Sequence, residues 1–244
     1  MFAIALDGPA GAGKSTIARK VAEHYGILYL DTGAMYRAMG WKAINSAISP
    51  QNEQAVESML CSTMLDVRFI DGEQRVYVDD NDVSDLIRTP EMSKAASDIS
   101  ALACVRRHLV ELQRHLAASR PLVIDGRDIG TYVLPDAPWK FFLTATAEER
   151  AQRRLLQLRA KGDDKTTLEQ VVEDINYRDL QDSTREVAPL RQADDAILLD
   201  TTHLSIDQVI ESIIREIGML PHEVQEFSKP PSDIITDASG GRTK

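Results

Sequence analysis

Eight residues near the N-terminus constrain this chain more than any other stretch. Gly8-Pro9-Ala10-Gly11-Ala12-Gly13-Lys14-Ser15 fits the spacing Gly-x4-Gly-Lys-Ser/Thr, follows the apolar run Phe2–Leu6, and precedes a helix-like segment, Thr16–His24. A loop of this kind between a strand and a helix turns its backbone N–H groups inward. The helix behind it adds a positive N-terminal end, and together they form a cradle for the inner phosphates of a nucleotide. Lys14 is then placed to reach the β and γ oxygens, and the Ser15 hydroxyl to ligate Mg2+. A chance match in a chain of this composition is on the order of a few in a thousand. The loop alone leaves the acceptor open, because kinases, hydrolases, transporters and switches all carry it.

The rest of the chain supplies the partners such a loop needs. Short apolar runs at Phe2–Leu6, Ile27–Leu30, Leu122–Ile124, Phe141–Leu143 and Ala196–Leu199 alternate with helical patterns. This alternation predicts an α/β fold with a doubly wound, five-stranded parallel sheet. Asp66–Ile70, a turn at Asp71-Gly72, and Gln74–Asp79 read as an antiparallel hairpin, part of an insert over about residues 60–98. Capping boxes at Thr146–Glu149 and Ser205–Gln208 announce two late helices, the first over Arg150–Lys161 with Gly162 as its stop. That helix, the turn after it and a return helix from Thr167 form a lid over about 150–186. Beyond Gly218 there is no sustained apolar period, so 219–244 is expected to be a mobile tail, and residues 221–244, whose few apolar residues Val224, Phe227, Ile234 and Ile235 show no period that could pack, are expected to be dispensable.

Charge and composition exclude several classes. Of 244 residues, 28 are Lys or Arg and 38 are Asp or Glu, a net charge of −10. The average field therefore repels a nucleic-acid polymer, and an anionic ligand must be held by a local basic site. Apolar runs reach only five or six residues, against the roughly 20 that span a bilayer, so no membrane segment and a cytoplasmic location are expected. Cys61 and Cys104 lie outside any metal or disulfide pattern and read as reduced, partly buried thiols. No set of His or Cys is arranged for covalent catalysis.

The arginines point to where the basic site is. Arg37 follows the second strand in Leu30-Asp-Thr-Gly-Ala-Met-Tyr-Arg37, and Arg127 follows the third in Asp125-Gly-Arg-Asp-Ile-Gly130. In a doubly wound sheet, ligands bind at such carboxyl ends. Arg150, Arg153 and Arg154 share one face of the lid helix, either as a salt-bridged surface or as a basic stripe aimed at phosphate. An acceptor that is itself a phosphate monoester brings its own anionic nucleophile. Its phosphorylation needs alignment and charge neutralisation, which arginines and Mg2+ provide.

The segments GPAGAGKST, LDTGAMYRA, DVSDLIRTPEMSKAASDIS, VIDGRDIG, PDAPWKFFLTATAEERAQRR and REVAPL together resemble bacterial cytidylate kinases over roughly residues 2–218. The resemblance implies transfer from ATP, with Mg2+, to CMP or dCMP in pyrimidine nucleotide metabolism. It also implies a P-loop kinase fold with a monophosphate-binding insert and a lid, acting as a monomer. By motif, residues 8–16, ending in Thr16, would hold the donor. Thr32, Arg37, Arg127 and Arg185 would hold the acceptor phosphate, with Tyr36 lining the same pocket. Ser97, Arg106 and Asp128 would read the cytosine, and Arg178 and Asp182 would meet the ribose. Lys14, Arg37, Arg127, Arg154 and Arg185 would stabilise the transferring group. One departure is Lys14-Ser15-Thr16, where many relatives have Lys-Gly-Thr. The competing readings are another small-acceptor P-loop kinase, acting on dephospho-coenzyme A, shikimate or a different nucleoside monophosphate, and a nucleotide-binding switch without turnover.

Overall fold

The computed structural model describes residues 2–221 and residue 224. Its main sheet contains β1 (Ala3–Asp7), β2 (Leu28–Asp31), β6 (Leu122–Asp125), β7 (Trp139–Thr144) and β8 (Ile197–Asp200). They lie in the order β2-β6-β1-β7-β8, and every pairing is parallel. β1 is buried along its whole length. Its Ala3 and Ala5 face one apolar layer, and Ile4 and Leu6 face the other, as the alternation of side chains along a strand requires.

The first layer contains helices α2 (Thr32–Asn45), α3 (Glu53–Cys61) and α5 (Ala103–Ser119), and extends into the insert. The insert is a separate sheet of β3 (Leu65–Ile70), β4 (Glu73–Val78) and β5 (Asn81–Asp82), followed by α4 (Pro90–Ser100). The hairpin expected from sequence is present, with Ile70 opposite Glu73. The two-residue β5 had no readable period.

The second layer contains α1 (Lys14–Tyr25) and α8 (Ile206–Ile217). Leu220 and Val224 are buried in this layer, and the Val224 N–H donates to the Pro221 carbonyl at 2.9 Å. The sequence reading of a tail without core contacts is therefore corrected at these two positions, because isolated apolar residues can pack without forming a period. Phe227, Ile234 and Ile235 lie outside the described residues.

Helices α6 (Ala147–Ala160) and α7 (Leu168–Thr184), in the region expected to form a lid, share a small core of Ala151, Leu158, Val171 and Ile175. The full capping box at Ser205 is present. The box at Thr146 is only half made: Thr146 accepts from the Glu149 N–H at 3.3 Å, but the Glu149 carboxylate is taken by Arg153 at 2.9 Å. Cys104 is buried, whereas Cys61 is exposed rather than partly buried. No helix among the described residues is long and apolar enough to cross a membrane.

Candidate active site

The loop after β1 is shaped by backbone. A Cβ on Gly8 would lie 2.0 Å from the Leu143 carbonyl oxygen on β7, so only glycine lets the chain turn there. Gly13 precedes α1 in a left-handed conformation and gives the helix no side-chain cap. The first N–H groups of α1 are thus left for a ligand. Lys14 folds back over the loop, donating to the Pro9 carbonyl at 2.7 Å. Burial, with Arg127 nearby, pushes its pKa down to about 7.

Three neighbouring strands end in aspartate beside this loop, and each has a different duty. Asp7 accepts the N–H groups of Ile129 and Gly130 at 2.8 and 2.7 Å, anchoring the π-helical turn Ile129–Val133 that follows β6. Asp31 caps α2 through the Ala34 N–H and pairs with Arg37 at 2.7 Å. Asp125 accepts from Ser15 at 2.8 Å and from the Tyr29 hydroxyl at 3.1 Å. Burial, with Asp31 close by, raises its pKa to about 6. Burial also raises Asp7 to about 6. Asp125 was not among the expected site residues. Its signal was its position as the last residue of an apolar strand, directly before the Gly-Arg-Asp turn.

A cavity of about 260 Å³ opens between the loop, α2, α4, the turn after β6, and helices α6 and α7. Of the expected acceptor residues, Thr32, Tyr36, Arg37, Ser97, Arg127, Asp128, Arg178, Asp182 and Arg185 all line it, as does Arg154. Seven cationic side chains face four carboxylates there, although the chain as a whole is acidic. No histidine or cysteine lines it. Arg106 is fully buried behind the wall and pairs with Asp128, which also accepts from Arg185 at 3.1 Å. The Arg106 guanidinium lies 5.8 Å from the Tyr36 ring centre. Burial pushes the Tyr36 hydroxyl up to about 12, so it is a neutral donor.

Several expected roles change once partners are visible. Thr32 donates its hydroxyl proton to the Asp125 carbonyl at 2.7 Å, tying α2 to β6, so this proton is not available to a phosphate at the same time. Asp182 is less a free ribose acceptor than a counter-ion, bonded to Arg127 at 2.7 Å and 3.6 Å from Arg185. Burial opposes its ionisation, but Arg127 and Arg185 hold it below the usual carboxylate range. Arg178 is pushed down to about 10 by burial and by Arg127.

The stripe on α6 divides in three. Arg150 is buried and clamps the loop by donating to the Ala10 carbonyl at 2.8 Å, while pairing with Asp179 on α7. Arg153 takes Glu149 and Thr201. Arg154 makes no ion pair among the described residues, and burial lowers its pKa. Both Arg153 and Arg154 line the cavity, Arg153 already engaged by Glu149 and Thr201 and Arg154 without an ion pair among the described residues.

A phosphate loop at the centre of a doubly wound parallel sheet, facing an arginine-rich cavity beside the helix pair α6 and α7, defines the class: a P-loop α/β kinase. Residues 4–219 match the family model described as cytidylate kinase. A curated cytidylate kinase of Caldicellulosiruptor bescii is 50% identical over 211 residues, covering 86% of this chain and 93% of that protein. One of Halalkalibacterium halodurans is 52% identical over 213 residues, covering 86% and 95%. A solved structure of an uncharacterized protein from Eubacterium ventriosum shares the fold at a TM-score of 0.50 and 14% identity, covering 90% of this chain and all of that one. The chain belongs to the cytidylate kinase family and is a phosphotransferase.

Proposed function

We propose that the chain transfers the γ-phosphoryl group of ATP to CMP and dCMP, giving CDP or dCDP and ADP by direct in-line displacement. The observation that carries this reading is the set of buried polar atoms left without partners around the cavity. Ser97 Oγ, Arg106 Nε and Arg37 Nε are buried and make no hydrogen bond. Native proteins rarely leave such groups orphaned, so each marks a place for a ligand atom. Arg106 pairs with Asp128, and Ser97 lines the same cavity, where a base with an exocyclic amine would be read. The third lies where an acceptor phosphate would be held.

In this reading the backbone from Gly8 to Thr16, through Pro9, Ala10, Gly11, Ala12 and Gly13, cradles the donor phosphates, and Lys14 leaves Pro9 to meet them. Arg37, Arg127 and Arg185 hold the acceptor phosphate beside Thr32 and Tyr36. The Asp128 carboxylate accepts from the cytosine amine, and Ser97 and Arg106 complete the base contacts. Arg178 meets the ribose beside Asp182. An acceptor phosphate oxygen attacks the γ-phosphorus, the bond to the β–γ bridging oxygen breaks, and ADP leaves. No general base is needed, because the nucleophile is already ionised. Arg154 neutralises charge on the transferring group once the lid closes.

The residues present fit Mg2+. Ser15 and Asp125 supply a hydroxyl and a carboxylate within 2.8 Å of each other. No larger cluster of metal-binding side chains occurs among the described residues, and Mg2+ favours such sparse oxygen sites completed by water and phosphate. When bound, Mg2+ supplies charge neutralisation for the donor phosphates.

A monomer is the proposed working unit. ATP use and reduced cysteines fit the cytoplasm. In the domain division that accompanies this reading, 60–98 is the acceptor-binding insert and 150–186 the lid.

The test is a coupled assay of ADP release with CMP, dCMP, UMP, AMP and shikimate. CMP and dCMP are expected to give the highest kcat/KM, and a preference for any other acceptor would overturn the assignment.

A further inference from the structure

The acceptor cavity is walled in part by α4 and α7, which come from distant parts of the chain and are joined by a side-chain hydrogen bond. The Tyr177 hydroxyl on α7 donates to Asp98 Oδ1 on α4 at 2.5 Å. Asp98 is buried, and its second oxygen accepts from Gln51 Nε2 at 3.0 Å, so the carboxylate is held from both sides. Lys94 Nζ lies 5.9 Å from the centre of the Tyr177 ring. Neither Asp98 nor Tyr177 lines the cavity, but their immediate neighbours Ser97 and Arg178 do. Successive helix residues are turned about 100° apart. Fixing Asp98 against Tyr177 therefore constrains where the neighbouring residues Ser97 and Arg178 stand in the cavity wall.

We infer that the Tyr177–Asp98 pair is a positioning latch that holds the base-facing and ribose-facing walls at their working separation and so sets the affinity for the acceptor nucleotide. The inference rests on the proposed reading of the cavity as a nucleoside monophosphate site. It adds two positioning residues that touch neither substrate. The hydrogen bond to Asp98, with burial, pushes the Tyr177 hydroxyl up to about 12, so the phenol remains a donor through the working pH range. A hydrogen bond to a charged acceptor is among the stronger kinds, so its loss should be visible in binding.

The experiment compares the wild type with Tyr177→Phe, Asp98→Asn, Asp98→Ala and the Tyr177→Phe/Asp98→Ala double variant, with steady-state kinetics in each substrate. Tyr177→Phe is expected to raise KM for CMP about tenfold, to leave KM for ATP unchanged, and to keep kcat within about twofold. Asp98→Asn keeps a carbonyl that can accept from the phenol, and is expected to lie between the wild type and Asp98→Ala. In the Asp98→Ala background, Tyr177→Phe should add no further change. Unchanged KM for CMP in Tyr177→Phe, equal rises in KM for both substrates, or an undiminished effect in the Asp98→Ala background would each overturn the latch. If the wild type prefers another nucleoside monophosphate, the cytosine assignment fails instead, and the same variants read the latch in the KM of that acceptor.

Discussion

In the proposed reading, the donor loop and the acceptor wall handle the same chemical group, phosphate, with different materials. The loop after β1 is built from backbone: glycine where Leu143 approaches, uncapped amides at the start of α1, and one lysine. The acceptor wall is built from side chains drawn from five segments and held in place by one another. Asp128 lies between Arg106 and Arg185, and Asp182 between Arg127 and Arg185. A backbone cradle is fixed by conformation, and in the proposed reading only Lys14 and Ser15 act there through their side chains. A network of buried ion pairs depends on every member, because removing one partner leaves the other charge uncompensated, a loss of about 3–5 kcal/mol.

The sharpest break in the donor half is Lys14→Ala. It removes the one side-chain charge of the cradle and touches no apolar core residue. The expected result is a fall in kcat/KM of about two to three orders of magnitude with a near-normal melting temperature. Near-wild-type turnover in the folded variant would remove the loop from the mechanism.

The lid offers a paired test within one helix. Arg154→Ala should lower kcat about tenfold or more, since Arg154 lines the cavity and makes no ion pair among the described residues. Arg153→Ala, one residue away, loses only Glu149 and Thr201 and should stay within about twofold. Equal effects in the two variants would mean that the stripe acts as a single surface feature.

The smallest effect is a proton balance. With Lys14 held near 7, much of it is neutral at pH 7.5 in the empty site. A polyanion brought beside it raises that pKa, so the site takes up protons on binding. Calorimetry of a non-hydrolysable ATP analogue in buffers of different ionisation enthalpy should show fractional proton uptake, and Lys14→Ala should lose it. Proton release, or uptake unchanged in the variant, would contradict the direction given for Lys14.

The two halves also differed in how far they could be read from sequence. Residues 8–15 are contiguous, and each residue type states its own backbone requirement, so the loop was legible in full. So was the parallel sheet, from its apolar runs. The wall was legible as a set of residues but not as a network. Helix spacing placed Arg150, Arg153 and Arg154 on one face, yet only the packed structure separates a clamp on Ala10, a cation paired with Glu149 and a cation without an ion pair among the described residues. Asp125 was overlooked because nothing in its neighbours announces that Ser15, 110 positions away, will meet it. Tyr177 and Asp98 carry no motif at all, and their meaning arises only from the approach of α4 to α7. Val224 shows the same limit in the core, a lone apolar residue whose burial no period foretells.

The central claim is that the acceptor wall, through Asp128, chooses the base. Cytosine presents an amine to that carboxylate, whereas uracil presents a carbonyl oxygen and would set acceptor against acceptor. A buried unpaired polar group costs about 1–3 kcal/mol, so the wild type should favour CMP over UMP about tenfold to a hundredfold or more in kcat/KM. Asp128→Asn keeps the shape and offers an N–H to the uracil oxygen, while weakening the hold on Arg106 and Arg185. The direct measurement is the CMP/UMP ratio of kcat/KM in the wild type and in Asp128→Asn, with folding of the variant verified by its melting transition. The ratio is expected to shrink, chiefly through damaged CMP use; an unchanged ratio in the folded variant would show that Asp128 does not read the base.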